Sequence, residues 1–249
     1  IPKPGKNPNQ LEGYRPISLL PVLSKILEKI IAARFWKFTR EQISNKQHAF
    51  LPKHGVHSLC HQLEDKLKKN LAKRNHSVVF SEDIEKAFDR VVFTFVLKEL
   101  EEWGTSVQLR KFIKSFLSNR TVITKVDGYF SQKHNIDNGV PQGSPLSVVL
   151  FVIYVNSLAK SIENVNGVDY VGIYADNIFA IASGTPNVVQ TKLRHINDKV
   201  QQWAGCRSAV VPVNKAEILH VCRQHNCVPP ASTFNEVQVQ CKTKMRILG

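Results

Sequence analysis

Methionine is almost missing from this sequence. The single Met stands at position 245 of 249 and the chain opens on Ile1, so a piece of a longer protein is expected. Long apolar runs are missing as well. Nothing reaches the roughly 18 consecutive apolar residues of a membrane span, so no membrane is expected among the partners. Cysteine is sparse and odd in number, at 60, 206, 222, 227 and 241, without the spacing of a small disulfide scaffold. His220, Cys222, His225 and Cys227 lie close together, but their spacing fits no standard zinc finger and an ordinary strand or loop is expected there. Acidic residues are also in short supply: 20 Asp+Glu against 34 Lys+Arg leave a formal net charge of +14.

That charge is uneven. Residues 1–80 carry 15 basic and 5 acidic side chains, a net of +10, whereas residues 81–249 carry 19 and 15, a net of +4. A basic first third spread through folded-looking sequence suits a polyanion, and nucleic acid more than a membrane surface. The hydrophobic content of 43% is enough for a packed core in one large domain or two small ones.

Periodicity places the elements. After a loop-rich start with four Pro and two Gly in residues 1–20, Val22, Ile26, Lys29, Ile30 and Ala33 fall at helical spacing, predicting a helix over Pro21–Phe38 with Lys25, Lys29 and Arg34 outside. Leu59, Leu63, Leu67 and Leu71 predict a second over Ser58–Ala72. A strand is predicted over Ser77–Ile84, and helices over Asp89–Leu100 and Leu109–Leu117. Asp127-Gly128 reads as the turn of a hairpin between Thr121–Val126 and Tyr129–His134. A helix over Leu146–Ala159 follows, then a hairpin of Tyr170–Tyr174 and Ile178–Ala182 around Ala175-Asp176-Asn177. A helix over Val188–Trp203 and strands around Ala209–Val213, Ala216–Val221 and Val237–Gln240 complete the chain. Strands and helices mix without a strict βαβ rhythm, so the class is α+β.

Three stretches carry chemistry. SVVFSEDIEKAFDRV, residues 77–91, delivers Asp83 at the end of an apolar strand. NGVPQGSPLS, residues 138–147, forces a bend before an apolar helix through Gly139, Pro141, Gly143 and Pro145. The hairpin carries Asp176. Each has an ordinary reading: first-turn acids, a loop–helix junction, and good turn chemistry. Taken together they have a sharper one. Two carboxylates on neighbouring strand ends can hold Mg²⁺, which takes a few carboxylates together with phosphate oxygens and water. A pair of such ions activates a 3′-hydroxyl and stabilises a leaving pyrophosphate, which is nucleotidyl transfer.

The chain resembles the reverse transcriptases of non-LTR retrotransposons of the Jockey-like type, over nearly its whole length. The resemblance rests on IPKPGK at 1–6, YRPISLLPVLSKILEKII at 14–31, DIEKAFDRV at 83–91, FLSNR at 116–120, GVPQGSPLS at 139–147, YADN at 174–177 and the terminal KMRILG. It implies a right-hand polymerase with fingers over about 1–76 and a palm with an antiparallel sheet and inserted fingers elements over about 77–249, no thumb being expected within the fragment. It also implies an RNA template, a DNA primer, dNTP substrates, two Mg²⁺ ions and, for an active copy, a nuclear site of action. By the same resemblance Asp83 and Asp176 would be metal ligands and Ile84 would lend a carbonyl. Asn177 would stand at a catalytic position where the family has a second Asp. Phe88 would crowd a ribose 2′-hydroxyl, an ordinary core aromatic being the other reading. Gln142 and Gly143 would contact nucleotide or template-primer, and Lys3 and Arg15 would neutralise the triphosphate.

The chain departs from the family pattern at several positions. Besides Asn177, the segment Gln47-His48-Ala49-Phe50-Leu51 stands for Q-x-G-F-R, His57-Ser58 for Ser-Thr and Asn156-Ser157 for N-D. Asn214-Lys215-Ala216-Glu217 stands for Asn-x-x-Lys. A nucleic-acid-binding remnant without catalysis therefore stays open beside the polymerase reading. A two-metal nuclease would need further acids or a His near Asp83 and Asp176, and no motif supplies them.

Overall fold

The computed structural model describes residues 1–247 apart from 6, 11, 12, 164, 224–228, 230–232, 235 and 240. The ends of the IPKPGK and KMRILG segments thus lie outside the described residues, as do His225 and Cys227. In chain order the elements are α1 (Val22–Thr39), α2 (Val56–Ala72), β1 (His76–Asp83), α3 (Phe93–Glu102) and α4 (Val107–Leu117). Four short strands follow: β2 (Arg120–Val122), β3 (Lys125–Val126), β4 (Tyr129–Phe130) and β5 (His134–Ile136). Then come α5 (Pro145–Glu163), β6 (Tyr170–Tyr174), β7 (Asn177–Gly184), α6 (Pro186–Cys206), β8 (Glu217–Val221), β9 (Thr233–Phe234), β10 (Val237–Gln238) and β11 (Cys241–Lys242). The chain forms two compact units, residues 1–42 with 88–154 and residues 43–87 with 155–249, interleaved along the sequence.

The second unit is organised by a five-stranded sheet of order β11-β8-β1-β7-β6. All neighbours are antiparallel except β11 with β8. β1 is central and nearly continuously buried, which is why its sequence is an apolar run rather than an alternation. On one face Leu59 and Leu63 of α2 pack on Val79, Tyr170, Phe179 and Ile181. α6 packs against β7 and β1, and its buried Val189, Leu193, Ile196, Val200 and Trp203 recur every three to four residues as an amphipathic helix requires. Each such side chain removed from water contributes about 1.5–3 kcal/mol.

The first unit holds α1, α3, α4, the short strands and the beginning of α5. Asp127 and Gly128 both take positive φ, 48° and 88°, so the β3–β4 hairpin turns where the sequence placed it. Ser106 caps α4 by accepting from the Leu109 N–H. Ser144 accepts the Ser147 N–H at the start of α5, with Pro145 behind it in a favoured first-turn position. α5 is long and apolar enough to cross a bilayer by length and composition, yet 72% of that stretch is buried inside the protein itself. Ser147, Asn156, Ser157 and Lys160 interrupt the run that sequence inspection looked for.

Three sequence expectations are corrected. The inward face of α1 is Glu28, Ala32, Phe35 and Thr39, while Val22, Ile26 and Ile30 are exposed. The Glu28 carboxylate is buried because Ser24 and Ser144 both donate to it. The helix expected from Asp89 starts at Phe93, because the Phe88 and Val91 carbonyls are taken by the Val140 and Gly139 amides. Ala209–Val213 is not a strand. Its Val210 carbonyl accepts from the Glu85 amide, and Val211 from the Gln201 side chain.

Candidate active site

The β1 strand ends on Asp83, and its register partner on β7 is Asn177. β6 and β7 are joined by a two-residue turn, Ala175-Asp176, closed by the Tyr174–Asn177 pair. Asn177 is therefore the first residue of a strand rather than part of the tip. Ala175 takes φ 53°, the first turn position where glycine is favoured in such hairpins, so the turn carries about 1–2 kcal/mol of backbone strain. The Asp176 carbonyl accepts from the Ile84 amide at 2.9 Å, which ties the turn to the end of β1.

These bonds bring Asp83 and Asp176 together. Their carboxylates are close enough for each to feel the other's charge. Burial and then the neighbouring Asp176 carboxylate push the Asp83 pKa up to about 6, against the pull of the Lys215 ammonium. Lys215 also pairs with Glu85 at 3.2 Å. Asn177 Nδ2 donates to Asp176 Oδ1 at 3.3 Å. Next to Asp83, Glu82 is 1% exposed with neither oxygen hydrogen-bonded, and burial pushes its pKa up to about 8. Sequence reasoning treated Glu82 as a helix-dipole acid. Its place on the same side of β1 as the buried Phe80, two residues earlier, was the available signal that it points inward.

The other residues named from sequence lie in the first unit. Phe88 is half-buried and stacks on Phe151 with ring centroids 4.6 Å apart. Gln142 donates to Asp89 Oδ1 at 2.9 Å, and its carbonyl accepts from the Ser18 amide. Gly143 has φ +117° and a Cβ there would stand 3.2 Å from the Ser18 carbonyl oxygen, so glycine is required. Lys3 and Arg15 belong to an N-terminal loop closed on itself by the Lys3–Gly13 and Arg15–Ile1 backbone bonds. Arg15 is exposed.

The departures from the family pattern have structural partners. His48 is buried between Ser58 Oγ and Tyr170 Oη at 2.9 and 2.8 Å, and burial pulls its pKa down to about 4. Asn156 accepts from the Ser44 amide, and Ser157 from the Trp203 indole. Glu217 pairs with Lys242. Two shallow, open cavities of about 310 and 430 Å³, one beside Arg194 and Phe234 and one beside Leu97 and Arg110, include none of the site residues named from sequence.

Comparison with known proteins agrees on one family. Residues 1–249 match the family described as reverse transcriptase (RNA-dependent DNA polymerase). The chain is 32% identical, over its whole length, to the RNA-directed DNA polymerase from mobile element jockey of Drosophila melanogaster, of which it covers 28%. It is 33% identical over 82% of its length to the corresponding Drosophila funebris protein, of which it covers 23%. The chain thus spans about a quarter of the length of these relatives. Among solved structures, apo telomerase from Candida tropicalis, truncated from its C-terminal domain, matches with a TM-score of 0.60 at 12% identity, over 88% of this chain and 44% of that one. That likeness shows a shared fold.

Proposed function

Because the chain belongs to the reverse transcriptase family, we propose that it is the nucleotidyl-transfer domain of an RNA-directed DNA polymerase from a non-LTR retrotransposon. One observation carries the reading: Asp83 and Asp176, 93 positions apart in sequence, are brought side by side at the end of one sheet by the Asp83–Asn177 register and the Ile84–Asp176 backbone bond. The donors there are hard oxygens, and the raised Asp83 pKa comes first from burial and then from the Asp176 charge, which a cation would offset. The residues present therefore fit Mg²⁺. Asp83 and Asp176 would hold it, with the Ile84 carbonyl as a further donor. Bound in pairs, such ions supply Lewis acidity to the attacking and leaving oxygens of a phosphoryl displacement.

The chain's own residues then have definite tasks. Asp83 and Asp176 must both be ionised to hold a cation, against the burial that favours the protonated form of Asp83. Lys215 offsets part of their charge from the Glu85 side. Gln142 and Gly143 are proposed to meet nucleotide or template-primer, the Gln142 amide exchanging its Asp89 bond for that contact. Phe88 is proposed to crowd the ribose 2′ position. Lys3 and Arg15 are proposed for the triphosphate. The net +10 of residues 1–80 supports an RNA template paired with a DNA primer, bound through phosphates. In this assignment the second unit is the palm and the first contributes the fingers.

A second reading, a nucleic-acid-binding remnant, is favoured by Asn177 alone among the site residues. Its amide brings no charge and occupies a lone pair of Asp176. Primer extension on an RNA template with dNTPs and Mg²⁺ separates the two. The polymerase extends the primer and loses extension in Asp83→Asn and Asp176→Asn. The remnant binds RNA–DNA duplex with steep salt dependence and extends nothing. Extension that survives Asp176→Asn would remove the carboxylate pair from the mechanism.

A further inference from the structure

Away from the carboxylates, the second unit gathers three metal-ligating side chains that no polymerase role uses. We propose that His76, His220 and Cys222 form a binding site for a borderline transition-metal cation, Zn²⁺ by preference. Their ligand atoms all lie within 4.8 Å of one another, and all three residues are half-buried.

The sheet register explains the grouping. Val78 on β1 is paired with His220 on β8. His76 lies two residues before Val78 and Cys222 two residues after His220. Side chains two apart along a strand share a face, so antiparallel pairing sets His76, His220 and Cys222 on the same side of the sheet. The residues are 144 positions apart at their widest hydrogen bond, so no local spacing in the sequence announces the site.

The geometry suits a tetrahedral ion. His76 Nδ1 and His220 Nε2 are 3.2 Å apart. Two imidazole nitrogens at zinc bonding distance and tetrahedral angle stand about 3.3 Å apart. The rings are nearly parallel, at 9°, with centroids 5.3 Å apart. They form an offset parallel pair, as stacked aromatic rings do. In the metal-free protein one ring donates its N–H to the other. A cation takes the place of that proton between the two lone pairs. The Cys222 sulfur has to close by no more than roughly 1 Å to reach a zinc–thiolate position. Cys222 is a thiol rather than half of a disulfide. Nitrogen and sulfur donors select Zn²⁺ or Co²⁺ over Mg²⁺. Three protein ligands leave a fourth position for water. The effect would be to clamp the start of β1 to the end of β8.

Co²⁺ titration of the chelator-treated chain, in excess Mg²⁺, tests the site. One equivalent is expected to give a thiolate-to-cobalt charge-transfer band in the near ultraviolet, together with the intense visible bands of tetrahedral cobalt, and Zn²⁺ should displace both. Cys222→Ser, nearly isosteric, should abolish the charge-transfer band. His76→Ala should weaken Zn²⁺ binding by more than about tenfold. Asp83→Asn should leave the spectrum intact, which separates this site from the carboxylate pair. Zn²⁺ should raise the melting temperature of the parent and not of His76→Ala. A charge-transfer band that persists in Cys222→Ser, or Zn²⁺ affinity unchanged in His76→Ala, would overturn the proposal, as would the absence of any band in the parent.

Discussion

Asn177 lies directly across the β1–β7 ladder from Asp83, and its side-chain amide donates to the neighbouring Asp176. A neutral residue therefore stands at a position from which a third carboxylate would join Asp83 and Asp176.

Asn177→Asp supplies that charge at almost unchanged size. One more charged metal ligand contributes about 3–4 kcal/mol, or on the order of 10²–10³ in rate. Mg²⁺-dependent primer extension should rise by that factor. Without divalent ions the variant loses the Asn177–Asp176 bond and crowds three carboxylates. Its melting temperature should therefore fall in chelator and recover in Mg²⁺. Equal extension by parent and variant would show that the second charge is dispensable here.

Asp83 sets a pH window. Its folded pKa of about 6 stands above its ordinary 3.8, so the folded state holds the proton more tightly than the unfolded chain. Ionisation disfavours the metal-free fold as pH rises from about 4 to 6 and adds nothing further above that. Divalent binding should run the other way, since the ion needs the ionised pair. Mg²⁺ affinity, read by calorimetry, should weaken by up to about tenfold per pH unit below 6 and level off above it. A flat profile between pH 5 and 7 would contradict the assignment of the pair as ligands.

Much of this was legible before any coordinates. The apolar run of β1, the Leu stripe of α2 and the 3.6 periodicity of α6 each have one reading, because a single face is apolar. α1 has two overlapping stripes. Sequence favours Val22, Ile26 and Ile30, but the buried face includes a glutamate, which hydropathy always places outside. Only the serines that donate to Glu28 make that burial affordable, and Ser144 is 116 residues away. Ala209–Val213 has strand-like composition, yet its backbone partners are Glu85 and the Gln201 side chain rather than a strand. The pairing of Asp83 with Asp176 could be argued from strand ends. The His76, His220 and Cys222 cluster could not, since it exists only once the β1–β8 register is fixed.

Glu82 should dominate the acid side of the stability profile. Its pKa of about 8 against an ordinary 4.5 means that folding takes up a proton at neutral pH. The cost at pH 7 is on the order of 3 kcal/mol, fully felt above the folded pKa and absent below the unfolded one. Glu82→Gln removes the titration while keeping the shape. Its melting temperature should exceed the parent's at pH 7–8 and converge with it near pH 4. A parent and variant that stay parallel across that range would mean that Glu82 titrates normally.

Phe88→Ala tests two roles at once. Loss of a ring stacked on Phe151 should cost about 3 kcal/mol or more of stability in either case. Only a ring that also crowds the ribose changes selectivity. The ratio of dNTP to rNTP incorporation should then drop by at least about tenfold. A destabilised variant with unchanged discrimination would leave Phe88 as a core residue alone.

β1 is flanked by strands that come far later in the chain: His76 pairs with Gly184, and Ser77 with Val221. Until about a hundred further residues have left the ribosome, an apolar strand stands with both hydrogen-bonding edges open. Such long-range closure is slow, and in the interval the strand invites pairing with another chain. The nascent polypeptide is thus most vulnerable to aggregation during synthesis of the stretch between β1 and β7. Any chain stopped short of residue 184 would present that edge to a chaperone or a protease.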